Sequence, residues 1–190
     1  MKKNNVNVIG LCGAARSGKD TFFEYAKEHF AESGIRSMRL AFADELKKDL
    51  FPFLSKKMGI NPFAVSDKEK TLIRPILVAY GEAMREMSKG KYWIEKLAPK
   101  LNQNIKRGVL SIVTDVRYPN EVKWINEFEG SKCIYIERDG ILPANTEEEK
   151  NDPKLRSMAE EILKWKTFGD SELFKCKPVV NRVLKKLHEI

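Results

Sequence analysis

The stretch that most constrains the fold lies near the amino terminus, where a short apolar run leads into a glycine-rich loop. Residues 6–12, VNVIGLC, are mostly apolar, which is typical of a strand buried on both faces. From Asp20 to about Phe30, apolar side chains recur at helical spacing, and Gly34 lies just beyond that pattern. The sequence therefore predicts a strand, a loop and a helix in direct succession.

The loop has the spacing of a phosphate-binding loop. Gly13 is followed, after four residues, by Gly18 and Lys19, which is the G-x-x-x-x-G-K core of the Walker A motif. Glycines let backbone N–H groups turn inward around an anion, the following helix adds the positive end of its dipole, and the lysine reaches the outer phosphates. The alternative is a plain tight turn between strand and helix. The predicted nucleotide-binding residues of the loop are Gly13, Ala14, Ala15, Arg16, Ser17, Gly18, Lys19, Asp20 and Thr21.

Asp20 occupies the position at which most Walker A loops carry the hydroxyl that contacts Mg²⁺. A carboxylate is itself a hard oxygen ligand and could hold the ion directly or through water. Thr21 restores a hydroxyl one residue later, and Arg16 adds a cation within the loop. The alternative for Asp20 is an acidic residue that the dipole favours in the first helical turn.

Two further acidic residues follow predicted strands. The segment SIVTDVR carries Asp115 and, two residues later, Arg117. In a doubly wound sheet, the strand bearing such an acid lies beside the phosphate-loop strand, so Asp115 is predicted to hold Mg²⁺ waters or to order Arg117. The alternative interpretation of Asp115 is an acidic residue in a surface loop. Asp44 is the last residue of the strand pattern IRSMRLAFAD. It is a candidate site residue, and the alternative interpretation is a helix N-cap.

Strands that alternate with helices predict a doubly wound, mostly parallel sheet of about five strands. Four strands are predicted within residues 6–12, 35–43, 108–117 and 132–138. We expect the fifth to be a very short strand near KPVV, at 177–180, before a closing helix. Residues 139–170 are expected to hold no strand and to include a helix around 153–166.

Residues 44–104 are predicted to form a mostly helical insertion. Prolines at 52 and 62 favour loops and short helices over 52–70, and helices follow at about 74–88 and 91–104.

Within this insertion, Arg74 precedes Glu82 and Arg85, which lie one helical turn apart. Such an acid and base pair can simply support a helix by a few tenths of a kcal/mol. Gly81 beside them indicates instead a close backbone approach, which a solvated helix does not need.

Charge and cysteine content narrow the class of protein further. The net charge is +8, but Lys and Arg are spread over the whole length, which favours a solvated surface and an anionic small substrate over a nucleic-acid partner. The three cysteines are widely spaced and form no CxxC pair, which indicates reduced thiols in a cytoplasmic protein. No stretch approaches the roughly 20 apolar residues of a membrane helix.

Four segments together resemble a known family. In order and spacing, GAARSGKDT, LAFADELKKDL, RPILVAYGEAMRE with YWIEKL, and VTDVRYPNEV are similar to bacteriophage-type deoxynucleoside monophosphate kinases, which are P-loop enzymes of the nucleoside monophosphate kinase fold. The match covers roughly residues 6–137, and R-S-G-K-D-T and D-V-R-x-x-N-E are its most specific parts. In this family, and in the similar phosphomevalonate kinases, aspartate after the P-loop lysine is usual. The carboxyl-terminal third is only a loose counterpart of the family pattern.

The resemblance implies a single three-layer α/β/α P-loop kinase domain. Its core would comprise residues 1–43, 105–138 and 171–190, with an acceptor-binding insertion at 44–104 and a lid at 139–170. It implies ATP and Mg²⁺ at the loop and a nucleoside monophosphate acceptor under the insertion. The implied donor-side residues include Arg16, Lys19 and Asp20, with Arg138 and Arg156 as further ATP-binding cations. The implied acceptor-side residues are Asp44, Arg74, Glu82, Arg85 and Trp93, and Asp115 and Arg117 would lie at the junction.

The predicted activity is transfer of the γ-phosphoryl group of ATP to a (deoxy)nucleoside monophosphate. The acceptor phosphate has a second pKa near 6 and is largely ionised at pH 7, so the reaction needs no dedicated general base. The reaction needs cations that neutralise the phosphate charges, alignment of donor and acceptor, and exclusion of water. Two alternatives are a kinase of another phosphorylated small molecule, such as phosphomevalonate, and a P-loop ATPase associated with nucleic acid. The sequence is compatible with a homodimer.

Overall fold

A computed structural model describes residues 6–188 of the chain, and its strands form one parallel sheet. The strands of this described part are β1 Val8–Cys12, β2 Ser37–Leu40, β3 Leu110–Val116, β4 Lys132–Arg138 and β5 Glu161–Trp165. They lie in the order β2-β3-β1-β4-β5. The helices are α1 Lys19–Glu32, α2 Phe42–Met58, α3 Asp67–Met87, α4 Tyr92–Lys106, α5 Pro119–Ile125, α6 Thr146–Met158 and α7 Lys177–His188, with a 3₁₀ helix at Asp170–Cys176. The predicted parallel sheet of about five strands is confirmed.

The phosphate-loop strand β1 occupies the centre of the sheet. It pairs with β3 on one side, where Val8 lies opposite Ser111, and with β4 on the other, where Gly10 lies opposite Cys133. All of its residues are buried, as expected for a strand covered on both faces. The predicted adjacency of the Asp115 strand and the phosphate-loop strand is therefore confirmed.

Helices cover both faces of the sheet. On one face α1 and α7 pack together, and Ile9 and Leu11 of β1 join the same apolar core as Phe22 of α1 and Val180 of α7. On the other face α5 packs so closely that a side chain at Gly10 would lie 2.8 Å from Ile125 Cδ1. The three-layer α/β/α architecture is confirmed.

Residues Ala41–Pro99 form a second compact unit, called the helical unit below. It contains α2, α3 and the first half of α4, and its apolar core is built on Leu54, Ile60 and Ile73. The predicted close approach at Gly81 is confirmed, because a Cβ atom there would lie 2.8 Å from Leu46 Cδ1.

Three prolines lie inside helices of this unit, Pro52, Pro75 and Pro99, and only Pro52 falls outside the predicted helices. Helix α2 continues through Pro52, and α3 begins at Asp67, behind a capping box of Ser66 and Glu69, and runs through Pro75. The prediction of loops and short helices across 52–70 is therefore wrong for much of that stretch. A proline inside a helix costs about 3 kcal/mol, but Pro52 and Pro75 are exposed while their helices bury Leu54 and Ile73.

Helix α2 also begins earlier than predicted. Its N-cap is Ala41, so Phe42 already belongs to the helix and β2 ends at Leu40. Asp44 lies in the first turn, where its backbone N–H donates to the carbonyl of Ala41 at 3.2 Å. The alternative of Asp44 as the N-cap is thus wrong.

The fifth strand lies in a different place from the one predicted. Residues 161–165, expected to be helical, form β5 and pair with β4, while KPVV begins helix α7. Along β5, Leu163 and Trp165 are buried and Ile162 and Lys164 are exposed, which is the alternation of a strand. The prediction that 139–170 holds no strand is wrong.

Other expectations concern thiols and membranes. Cys12, Cys133 and Cys176 are buried free thiols, as predicted. None of the helices between residues 6 and 188 is both long enough and apolar enough to cross a membrane.

The position of β5 yields a stability prediction. Leu163→Ala should lower the free energy of unfolding by about 2–5 kcal/mol, because it removes a fully packed side chain from the sheet core. Ile162→Ala, at the neighbouring position, should cost much less, since Ile162 is 39% exposed. Urea denaturation of both variants checks the difference, and equal losses would contradict this placement of the strand.

Candidate phosphate-binding site

The loop between β1 and α1 is held in a conformation that requires glycine at two positions. Gly13 has φ 124° and lies so close to β4 that a Cβ atom would be 2.2 Å from the carbonyl oxygen of Ile136. Gly18 has φ 98° and serves as the N-cap of α1. Arg16 also has a positive φ, of 65°, which is unusual for a residue with a side chain. The chain therefore curls tightly before the helix starts.

Lys19 turns its amino group back into this curl. Its Nζ donates to the carbonyl oxygens of Gly13 at 2.7 Å and Ala14 at 2.6 Å, and lies 3.4 Å from Ser17 Oγ. The residue is 8% exposed. Burial, and secondly the charge of Arg117, lower the pKa of Lys19 to about 8, although nearby carboxylates oppose the shift.

Trp165, at the end of β5, braces the loop from outside. Its indole N–H donates to the carbonyl of Ser17 at 2.8 Å, and a Cβ atom on Gly18 would lie 2.4 Å from its ring. Trp165 was not among the predicted site residues, because EILKW was assigned to a helix. A strand-like alternation over those five residues was the signal that could have identified it.

Asp115 and Arg117 come from the carboxyl end of β3, as predicted. Asp115 is partly buried and is one of the carboxylates whose charge raises the pKa of Lys19, which places it near the loop. Glu121 is buried and accepts hydrogen bonds from the backbone N–H groups of Arg117 at 2.8 Å and Tyr118 at 3.2 Å. The Glu of the D-V-R-x-x-N-E motif therefore fixes the backbone that carries Arg117.

Glu148, in the first turn of α6, reaches the same place from a distant part of the chain. One carboxylate oxygen accepts from the backbone N–H of Ala15 at 3.3 Å, and the other accepts from the guanidinium of Arg117 at 2.6 Å. Glu148 was not among the predicted site residues, and its sequence signal is that of a first-turn acid three residues after Asn145, which caps α6. An anionic group thus lies against the loop.

Asp20 and Thr21 lie in the first turn of α1. Asp20 is largely exposed, and its carboxylate is 3.9 Å from the guanidinium of Arg39. Its charge also raises the pKa of Lys19. Thr21 lines a small cavity beside the loop, together with Gly18, Arg138, Trp165, Lys166, Phe168, Leu173 and Cys176.

The two arginines predicted on the lid side have different surroundings. Arg138, at the end of β4, lines that cavity and lies 3.4 Å from the carbonyl of Phe168. Arg156, on α6, pairs with Glu137 of β4, and its guanidinium lies over the ring of Tyr135 at 5.6 Å. The contacts described for Arg156 are thus with β4 and not with the loop.

The predicted acceptor-side residues all belong to the helical unit. Trp93 is buried in it and donates its indole N–H to the carbonyl of Gly81 at 3.1 Å. Arg74 and Glu82 are exposed, and Asp44 and Arg85 are partly buried. Their roles stay predictions.

The donor set at the loop fits a phosphate chain with Mg²⁺. The backbone N–H of Ala15 and the guanidinium of Arg117 donate to the Glu148 carboxylate, and the charge of this carboxylate raises the pKa of Lys19. Within residues 6–188 no cluster of three or more metal-ligating side chains occurs. Mg²⁺ bound with substrate phosphates needs only one or two protein carboxylates, and Asp20 and Asp115 are the two that the sequence predicts.

The strand order and the loop define a class: an α/β protein with a parallel five-stranded sheet in its described residues and a P-loop after the central strand. No protein-family model matches the sequence. A curated relative, the uncharacterized protein ORF76 of Ictalurid herpesvirus 1 (strain Auburn), is 25% identical over 176 residues. The alignment covers 86% of this chain and 63% of that protein, so the chain spans less than two thirds of its relative's length.

Three solved structures are similar over nearly their whole length. TT1252 from Thermus thermophilus has a TM-score of 0.49 at 15% identity and covers 96% of each chain. A cysteine-to-alanine mutant of the Mycobacterium tuberculosis APS kinase CysC has a TM-score of 0.41 at 13% identity, over 98% of this chain and 99% of that one. Shikimate kinase from Acinetobacter baumannii, in complex with shikimate, has a TM-score of 0.45 at 11% identity, over 96% of each chain. Likenesses this distant say nothing about the substrate of this chain.

The buried Lys19 leads to a prediction on pH and stability. Between pH 8 and 10.5 the unfolded chain keeps the Lys19 proton that the folded chain has lost, so the wild-type protein gains stability as the pH rises through this window. Relative to Lys19→Met, the gain should be about 3 kcal/mol. Chemical denaturation at both ends of the window measures it.

Lys27→Met is the matched control, because Lys27 lies exposed on the same helix. Its stability relative to wild type should not change across this window. A pH-independent difference between wild type and Lys19→Met would contradict the lowered pKa of Lys19.

Proposed function

We propose that this chain is an ATP-dependent nucleotide kinase that transfers the γ-phosphoryl group to a (deoxy)nucleoside monophosphate. The observation that carries the proposal is that the backbone N–H of Ala15 and the guanidinium of Arg117 donate to one carboxylate, whose charge also raises the pKa of the buried Lys19. A site that holds a carboxylate in this way has the donors that a phosphate chain requires.

The donor nucleotide would bind along the loop from Gly13 to Thr21. Lys19 would neutralise the outer phosphates, while Asp20 and Asp115 supply oxygen ligands for Mg²⁺ or for its waters. When bound, Mg²⁺ supplies positive charge that offsets the negative charge on the phosphates.

The acceptor would be recognised by the helical unit. Arg74 and Arg85 are cations that suit a phosphate, and Glu82 and Asp44 are acceptors that suit the hydroxyl or amino groups of a nucleoside. The indole N–H of Trp93 is already bound to Gly81, so a contribution from Trp93 would come from ring packing.

Phosphoryl transfer requires the protein to position the substrates and to offset their negative charge. The acceptor phosphate is largely ionised at pH 7 and is already a nucleophile. Arg117 and Lys19 would offset charge that develops during transfer, and one well-placed arginine is worth about 10³ to 10⁵ in rate in related reactions. Water must also be kept away from the phosphates during transfer.

The proposal predicts nucleotide-dependent turnover. In a coupled assay with ATP and Mg²⁺, ADP release should rise above the ATP-only background with at least one nucleoside or deoxynucleoside monophosphate, and the matching diphosphate should form. Lys19→Met should reduce turnover at least about 100-fold, since it removes the main cation at the phosphates. Lys27→Met should retain wild-type turnover.

Other outcomes of the same assay would assign the chain a different acceptor or a different activity. ADP release that responds only to phosphomevalonate or to another phosphorylated small molecule would replace the acceptor class. ADP release that responds only to DNA or RNA, without a phosphorylated small product, would indicate a P-loop ATPase and reject the kinase proposal.

A further inference from the structure

Glu148 binds the groups that a nucleotide phosphate would use. Its carboxylate accepts from the Ala15 N–H, within the phosphate loop, and from Arg117. A third hydrogen bond comes from the backbone N–H of Ala144 at 3.0 Å. The side chain is only 10% exposed, so this carboxylate is largely withdrawn from water by its partners.

The carboxylate and a phosphate cannot hold these donors together. Both are anions that accept through oxygen, and each prefers backbone N–H groups and guanidinium forks.

We propose that Glu148 is an internal competitor of the nucleotide, which occupies the phosphate loop until the phosphates of ATP displace it. The inference rests on the proposed nucleotide site and adds a regulatory contact to it. The loop of the free protein is thereby kept closed by its own chain.

The local structure allows Glu148 to leave without unfolding the site. Residues 139–145, which join β4 to α6, form neither helix nor strand. Helix α6 retains its own cap, because the side chain of Asn145 accepts from the Glu148 backbone N–H at 2.8 Å. The carboxylate can therefore move away while the first turn stays formed.

Departure of Glu148 would also release Arg117. The backbone of Arg117 is held separately, by Glu121, so only its guanidinium would be freed to meet a phosphate. Nucleotide entry would thus open the loop and supply a catalytic cation in one event.

The test is the affinity of MgATP measured by isothermal titration calorimetry. Removing the competitor raises apparent affinity by the factor that it had suppressed, and Glu148→Gln should bind MgATP about tenfold more tightly than wild type. Glu149→Gln, which removes the same charge from the adjacent exposed residue, should bind as wild type does. Glu148→Ala serves as a second variant if the glutamine variant is poorly folded.

Unchanged or weaker MgATP binding in Glu148→Gln and Glu148→Ala would overturn the inference. That result would leave Glu148 as a structural residue of the α6 terminus, and the variants would then show only a lower melting temperature. A failure of the proposed function is separate, since it would be an absence of phosphoryl transfer to any nucleoside monophosphate, and this titration measures binding alone.

Discussion

The site depends on the contact between the buried Lys19 ammonium and the loop that precedes it. Two carbonyl oxygens of the loop accept from it, and they can face inward only because Gly13 has a left-handed conformation against the carbonyl of Ile136. Gly18 continues the curl, and Trp165 closes over it. A side chain at either glycine would need space that β4 or β5 already fills.

The groups around Lys19 shift its pKa in opposite directions. Burial and Arg117 lower the pKa of Lys19, and Glu148, Asp115 and Asp20 raise it. A buried cation is stable only when anions or hydrogen-bond acceptors surround it. In the free protein Glu148 supplies part of that negative charge, and a nucleotide would bring more of it. Exchange of the carboxylate for phosphates would therefore shift Lys19 further toward its charged form.

The sequence predicted features that depend on neighbouring residues and missed those that depend on distant ones. Strand β4 matches its predicted bounds, 132–138, and α1 lies close to its predicted range, because apolar periodicity and a glycine stop define each locally. Strand β5 was missed because its five residues were taken for part of a helical pattern. Their pairing with β4 is a tertiary contact, which local sequence does not reveal.

The same limit applies to the site. The loop and its partners Asp115 and Arg117 could be found from motif spacing and from the adjacency of strands in a doubly wound sheet. Glu148 and Trp165 could not, since they meet the loop across 133 and 148 residues of sequence. Their contacts exist only because α6 and β5 fold back beside β4.

The most direct measurement is a crystal structure of the protein with Mg²⁺ and a non-hydrolysable ATP analogue. The account predicts phosphates bound to the Ala15 N–H and to Lys19, with the Glu148 carboxylate withdrawn and the Arg117 guanidinium turned toward the nucleotide. An analogue bound away from the loop, or a Glu148 carboxylate still bound to Ala15 beside the phosphates, would contradict it.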